Sequence, residues 1–178
     1  MGHRHHNVCQ PQVFCQRKSC FKKTATFIIV GLLLLLLDQL IKFYCISLAN
    51  PRDIHDFVMI AEGKVISLAL VYNTGVAFSF LTSLGEWLKF IQVGFLVVIC
   101  LVLYLQRQLF LQHYLAFACM LSGGISNVLD RFLHGGVVDY IYWHYGFDFP
   151  IFNFADICID CGIALFLWQT IRMSKFRQ

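Results

Sequence analysis

Between Thr24 and about Tyr44 the chain runs through Phe27-Ile-Ile-Val-Gly-Leu-Leu-Leu-Leu-Leu-Leu37, an apolar stretch of the length that crosses a bilayer core. Three more follow: Trp87 to Leu105, a shorter, glycine-interrupted one from about Tyr114 to Leu129, and Phe152 to Ile171. A chain of 178 residues that is 58% hydrophobic and only 13% charged cannot hide four such segments inside a soluble domain. The bilayer is its solvent, and the spans must be helices so that every main-chain polar group is bonded within the segment. The expected fold is an all-α membrane protein with four transmembrane helices and a small outward-facing β element. The β element comes from two β-rich runs, Phe57–Ile60 and Lys64–Tyr72, around Glu62-Gly63, after an Asn50-Pro51 turn signal.

Charge sets the orientation. Five Lys or Arg precede the first span, Arg107 stands between the second and third, and three follow the fourth. The two other connections hold Arg52, Lys64 and Arg131 against seven acids, so both termini are expected in the cytoplasm and residues 45–86 and 130–150 outside. The domain reading is residues 1–23 as a cytoplasmic extension, 24–171 as the membrane domain and 172–178 as a tail. A leucine run behind a basic start also describes a signal peptide, with Ser47-Leu48-Ala49 as a cleavage site. Asp38, Gln39 and Lys42 intervene, so the segment is read as retained. The net charge of +4 lies at the chain ends instead of in a basic stripe interleaved with aromatics, so no nucleic-acid partner is expected.

The eight cysteines suggest no disulfide framework, and Cys158-Ile-Asp-Cys161 sits in an apolar helix without the βαβ setting of a redox motif. His3-Arg4-His5-His6 is read as part of a mobile tail, not a metal site; no cofactor and no metal are expected. What calls for explanation is carboxylates in apolar helices, each costing about 2.5–3.5 kcal/mol on insertion scales. Asp38 has Lys42 four residues on, on the same helix face. Asp156 and Asp160 have no basic neighbour in their helix before Arg172. Asn127, Asp130, Arg131, Asp139 and Asn153 converge with them on the outward boundary, while Asp148, near Gly146 and Pro150, reads as a solvated loop residue.

Four motifs in order carry more. They are Leu37-Asp-Gln-Leu-Ile-Lys42; Tyr72-Asn-Thr-Gly-Val-Ala-Phe-Ser79; Gly123-Gly-Ile-Ser-Asn-Val-Leu-Asp-Arg131 with Gly136-Val-Val-Asp-Tyr-Ile141; and Phe152-Asn-Phe-Ala-Asp156. Together, over about residues 30–165, they closely resemble the lipoprotein signal peptidase (signal peptidase II) family of aspartyl proteases. The resemblance implies Asp139 and Asp156 as the catalytic pair. It implies Asn73, Gly75, Asn127, Asp130, Arg131 and Asn153 as substrate-binding or site-shaping residues, and Asp38 and Lys42 as a supporting pair. It further implies an endopeptidase of the bacterial inner membrane, active at the outer face. Its partners would be membrane lipid, diacylglyceryl-modified prolipoproteins cut on the amino side of the lipidated cysteine, and the inhibitor globomycin. Asp148 and Asp160 match no residue of these motifs. Ser126 stands where the family often has Gly and Val76 where it often has Ala, and the N-terminal extension is not a family feature.

Two carboxylates held close do not both ionise readily, so one keeps a proton and serves as acid while the other activates water. No serine–histidine, cysteine–histidine or H-E-x-x-H arrangement competes with them. The rival readings are a proton-coupled transporter, which would distribute its acids through the bilayer depth, and a thiol oxidoreductase on Cys158 and Cys161, which would need reactive cysteines in an outward loop.

Overall fold

The computed structural model describes residues 11–75 and 87–175. The His3–His6 cluster and the Val76–Ser79 part of the second motif lie outside them. Four helices have the length and apolarity to cross a membrane. They are α1 (Pro11–Ala49), α2 (Trp87–Leu105), α3 (Arg107–His134) and α4 (Phe154–Lys175). Three strands, β1 (Val58–Ala61), β2 (Ile66–Asn73) and β3 (Val137–Trp143), form one antiparallel sheet in the order β1-β2-β3.

The apolar segments are where the sequence puts them, but their ends differ. α1 runs unbroken from residue 11, so the helix begins inside the basic stretch that precedes the first span. It stops where Asn50 takes a left-handed conformation, φ 43°, and donates its N–H to Ile46 O ahead of Pro51. The third span is not short. α3 has 28 residues, and the expected start at Tyr114 falls beside a kink at His113, whose φ of −123° is non-helical. Only Gln106 separates α2 from α3, so no loop carries Arg107.

α3 is the centre of the bundle, packed on α4, α1 and α2. Its contact with α4 is tight because glycines face it: a Cβ on Gly123 would overlap the Ala155 carbonyl oxygen, and one on Gly162 would lie 2.8 Å from that of Ala116. Without a hydrophobic driving force between helices in lipid, small residues that admit close backbone approach are what hold them together.

The β element is larger than the expected hairpin. β3 comes from the 130–150 segment read as a loop, and pairs with β2 in a register that sets Val71 opposite Asp139 and Asn73 opposite Val137. α3 ends at Gly135, whose φ of 76° suits glycine, and at Gly136 a Cβ would press to 3.2 Å of the Asn73 carbonyl. The chain therefore turns directly from helix into strand. Alternation along β3 sends Val138 and Tyr140 into a small core with Leu70 and Cys45, and leaves Val137 and Asp139 facing the other way.

Candidate active site

Val137 and Asp139 face a polar cavity of about 480 Å³, also lined by Asn73, Asn127, Arg131 and Asp156. Asp156 is delivered by the start of α4. The first main-chain N–H groups of a helix lack intrahelical partners, and here all four are met. Phe154 N–H donates to Tyr140 Oη (3.2 Å), Ala155 N–H to Asp38 Oδ1 (2.8 Å), Asp156 N–H to Asn153 Oδ1 (3.0 Å) and the N-cap Asn153 N–H to Asp156 Oδ2 (3.2 Å). Asn153 and Asp156 thus close a reciprocal capping box. The helix start is also tethered to β3, since Phe152 exchanges main-chain hydrogen bonds with Ile141.

Asn153, fully buried, also reaches across with its side chain. Its Nδ2 donates to Asp139 Oδ1 at 2.7 Å and to Asn127 Oδ1 at 3.2 Å. Asn73, diagonal to Asp139 across the strand pair, donates to Asp139 Oδ2 at 3.1 Å, and Asn127 donates to Asp156 Oδ1 at 2.8 Å. Each of the four carboxylate oxygens thus has one neutral amide donor. No cation bonds to either group among the described residues. Burial, and then the charge of Asp156, push the Asp139 carboxyl up to about 7 against the pull of the Asn73 and Asn153 amides.

A second buried group stands behind Asn127. Lys42 Nζ lies 2.7 Å from Asp38 Oδ2 and 2.6 Å from Asp130 Oδ2, and donates to Asn127 Oδ1 at 3.0 Å. Asp38 Oδ2 also accepts from Ser126 Oγ (2.5 Å), and Asp130 accepts from Gln39 Nε2 (2.9 Å) and Val138 N–H (3.1 Å). The expected Asp38–Lys42 pair is therefore part of a triad in which Asp130 fixes the start of β3 and Asp38 fixes the start of α4. Arg131 is turned elsewhere: its guanidinium donates to the carbonyls of Asn73 (3.3 Å) and Gly75, while the Gly75 N–H bonds to Asn73 Oδ1 at 3.0 Å. That holds the end of β2 against the cavity.

All ten residues singled out by sequence thus belong to one connected region. Sequence reasoning passed over Gln39, Ser126 and Tyr140, although all three stand inside the quoted motifs. It also left out Asp160, which lines the cavity one turn beyond Asp156, and Gln92, which lines it from α2. Asp148 is exposed and accepts from Tyr142 Oη at 2.8 Å.

Four apolar spanning helices and a cleft that gathers carboxylates and amides describe a multi-pass membrane protein with a polar site. The chain belongs to the signal peptidase II family, whose profile, described as "Signal peptidase (SPase) II", matches residues 30–172. A lipoprotein signal peptidase of Wolinella succinogenes is 55% identical over 114 residues, 64% of this chain and 78% of that one. One from Helicobacter acinonychis strain Sheeba is 43% identical over 160 residues, covering 88% of this chain and 92% of its own length. A solved structure described as a bacterial membrane enzyme superposes with a TM-score of 0.71 at 25% identity, over 86% of this chain and 92% of that one. The fold, the peptidase class and the multi-pass bacterial membrane setting all agree with the reading of the sequence.

Proposed function

We propose that Asp139 and Asp156 are the catalytic pair with which this membrane peptidase removes the signal peptide from diacylglyceryl-modified prolipoproteins, cutting on the amino side of the lipidated cysteine. The observation that carries the assignment is Asn153: one buried residue bonds Asp139 through its side chain and Asp156 through its main chain, and so holds both carboxylates at one cavity. With no cation bonded directly to either among the described residues, and with Asp139 raised by burial and by the charge of Asp156, the two retain a proton between them near neutral pH. The ionised carboxylate takes a proton from a water as its oxygen attacks the scissile carbonyl carbon. The protonated carboxyl gives its proton to the carbonyl oxygen. The resulting tetrahedral diol collapses as the first carboxyl, now protonated, protonates the departing amide nitrogen while a hydroxyl of the diol returns its proton to the second carboxylate; the C–N bond breaks and the pair is back in its starting state.

Asn73, Asn127 and Asn153 orient the carboxylates. Arg131 holds Asn73 and Gly75 against the substrate strand, and Asp38, Lys42 and Asp130 fix the elements that deliver the pair. The chain divides into a cytoplasmic extension over 1–23, the membrane domain over 24–171 and a cytoplasmic tail over 172–178. Both termini lie inside, in keeping with the Lys and Arg at the chain ends, and the cavity opens at the outer face of the inner membrane, in contact with lipid. Globomycin is expected to occupy the cavity and block cleavage.

The test is cleavage of a lipidated prolipoprotein by the purified protein in detergent. Wild type should cut before the lipidated cysteine, globomycin should stop it, and the unlipidated precursor should be a poor substrate. Retained cleavage by a folded Asp139→Asn or Asp156→Asn protein would remove the assignment.

A further inference from the structure

α2 carries one charge, Lys89, and one amide, Gln92, in an otherwise apolar run of 19 residues. An amide in such a helix is costly unless something bonds it. The Gln92 Oε1 is buried, and among the described residues no hydrogen-bond donor reaches it. Its place is specific. Beside the polar cavity lies an apolar one of about 540 Å³, walled by Leu96, Phe117, Leu121 and Phe166, and the side chains common to both are Gln92 and Asn127. Asn127 is already committed to Asp156, Lys42 and Asn153. Gln92 therefore offers a free acceptor at the boundary between the apolar space and the catalytic cleft.

The complementary group is a hydrogen-bond donor on a molecule that passes from one space into the other. A peptide being cut must be unwound around the scissile bond, and each unwound N–H at membrane depth loses its helical acceptor without water to replace it. The oxygens of the catalytic pair already hold amide donors. We infer that Gln92 is a substrate-binding residue whose side-chain oxygen accepts a main-chain N–H of the signal peptide on the amino side of the scissile bond, as that strand enters the cleft. Asp160, exposed on the α4 wall of the same cavity, adds acceptor capacity beside it. This assignment rests on the catalytic-pair reading, because it takes the polar cavity as the place where the peptide is cut.

The test is a cycle between enzyme and substrate. Lipidated prolipoprotein peptides, each N-methylated at one of the positions preceding the scissile bond, are cleaved by wild type, Gln92→Leu and Gln92→Glu. Gln92→Leu should lose roughly tenfold in kcat/KM on the unmodified peptide, mainly through a raised KM and with the pH profile unmoved. Gln92→Glu, which keeps an acceptor at the same reach, should recover most of the loss. At one N-methylated position wild type should show the same loss and Gln92→Leu no further one. If Gln92→Leu does not fold, Gln92→Met, unbranched and close in length, takes its place in the cycle. Kinetics within twofold of wild type in a folded apolar variant would overturn the inference, as would losses that multiply at every position. Asp139→Asn, assayed alongside, separates the two readings: activity there sinks the catalytic pair, whereas a flat cycle with an inactive Asp139→Asn sinks only the role of Gln92.

Discussion

Two pairs of aspartates meet on either side of Asn127. Behind it Asp38 and Asp130 share the ammonium of Lys42, the Ser126 hydroxyl joins it on Asp38 Oδ2, and a main-chain N–H and a side-chain amide take the two remaining oxygens. In front of it Asp139 and Asp156 have a donor for each oxygen as well, yet all four donors are neutral amides. The two sets use the same residue type, and Asp38, Asp130 and Asp139 are alike in being almost wholly buried. What separates them is that Lys42 bonds directly to one set and not to the other. An amide satisfies a lone pair without cancelling its charge, so the rear set has an opposite charge bonded within it, whereas burial and the charge of Asp156 raise Asp139 in the front set. The first arrangement braces β3 and α4; the second is the one proposed to be reactive.

The largest effect should come from the front set. Asp139→Asn and Asp156→Asn each remove one of two proton-transfer roles while keeping the shape, and should cost roughly 10⁴-fold in single-turnover cleavage. The double variant should be barely worse than either, since the two act as one unit. Losses that multiply would mean independent contacts and would erase the contrast. All three proteins should still insert and melt cooperatively, because the bracing triad is untouched.

Lys42→Met tests the other half. It strands two buried carboxylates and should cost about 3–5 kcal/mol, read as a large fall in the thermal unfolding temperature in detergent. Activity should then follow the folded fraction. An unchanged melting temperature would show that Lys42 is not what distinguishes the two sets.

How much of this was legible beforehand depends on the range of the interaction. Asp38 and Lys42 announce their pairing through i, i+4 spacing, and the apolar spans through length alone. Asp130 joins that pair only through packing of α3 on α1, which no local pattern records. β3 is a β-branched and aromatic run whose partner strand lies far back in the sequence, with Asp139 opposite Val71, so as a lone segment it reads as loop. The Tyr114 start marks the kink at His113 because hydropathy senses the polar side chain and not the helix that continues through it. The proposed catalytic pair itself came from the motifs' resemblance to a family. Burial and the missing cation, which make the pair chemically apt, are visible only in three dimensions.

A smaller effect should appear in stability against pH. Asp139 is raised in the folded protein from its ordinary 3.8 to about 7, so between those values the folded state binds more protons than the unfolded one. Stability then falls as pH rises through that window and levels off above it, the reverse of a salt-bridged carboxylate. The melting temperature should drop by a few degrees between pH 4 and 8, and Asp139→Asn should flatten that slope whatever its own offset. A slope unchanged in the variant would place the titration elsewhere.

The smallest effect should be that of removing every cysteine. If a thiol contributed to the chemistry it would have to face the polar cavity, and none of the described residues that line it is a cysteine. Cys45 and Cys158 are buried, while Cys100 and Cys161 are exposed on spanning helices. In those places a thiol acts as a small hydrophobe, and replacing it by alanine removes packing and nothing else. The cost belongs to stability, on the order of 1 kcal/mol for each buried site, and should leave kcat/KM within about twofold of wild type once the folded fraction is equalised. The comparison between the aspartate sets depends on this, because it credits the reactivity of the cleft to carboxylates alone. A cysteine-free protein that melts like wild type but no longer cleaves lipidated substrate would show that a sulfur shares the work, and the missing cation would no longer suffice to explain which side of Asn127 is reactive.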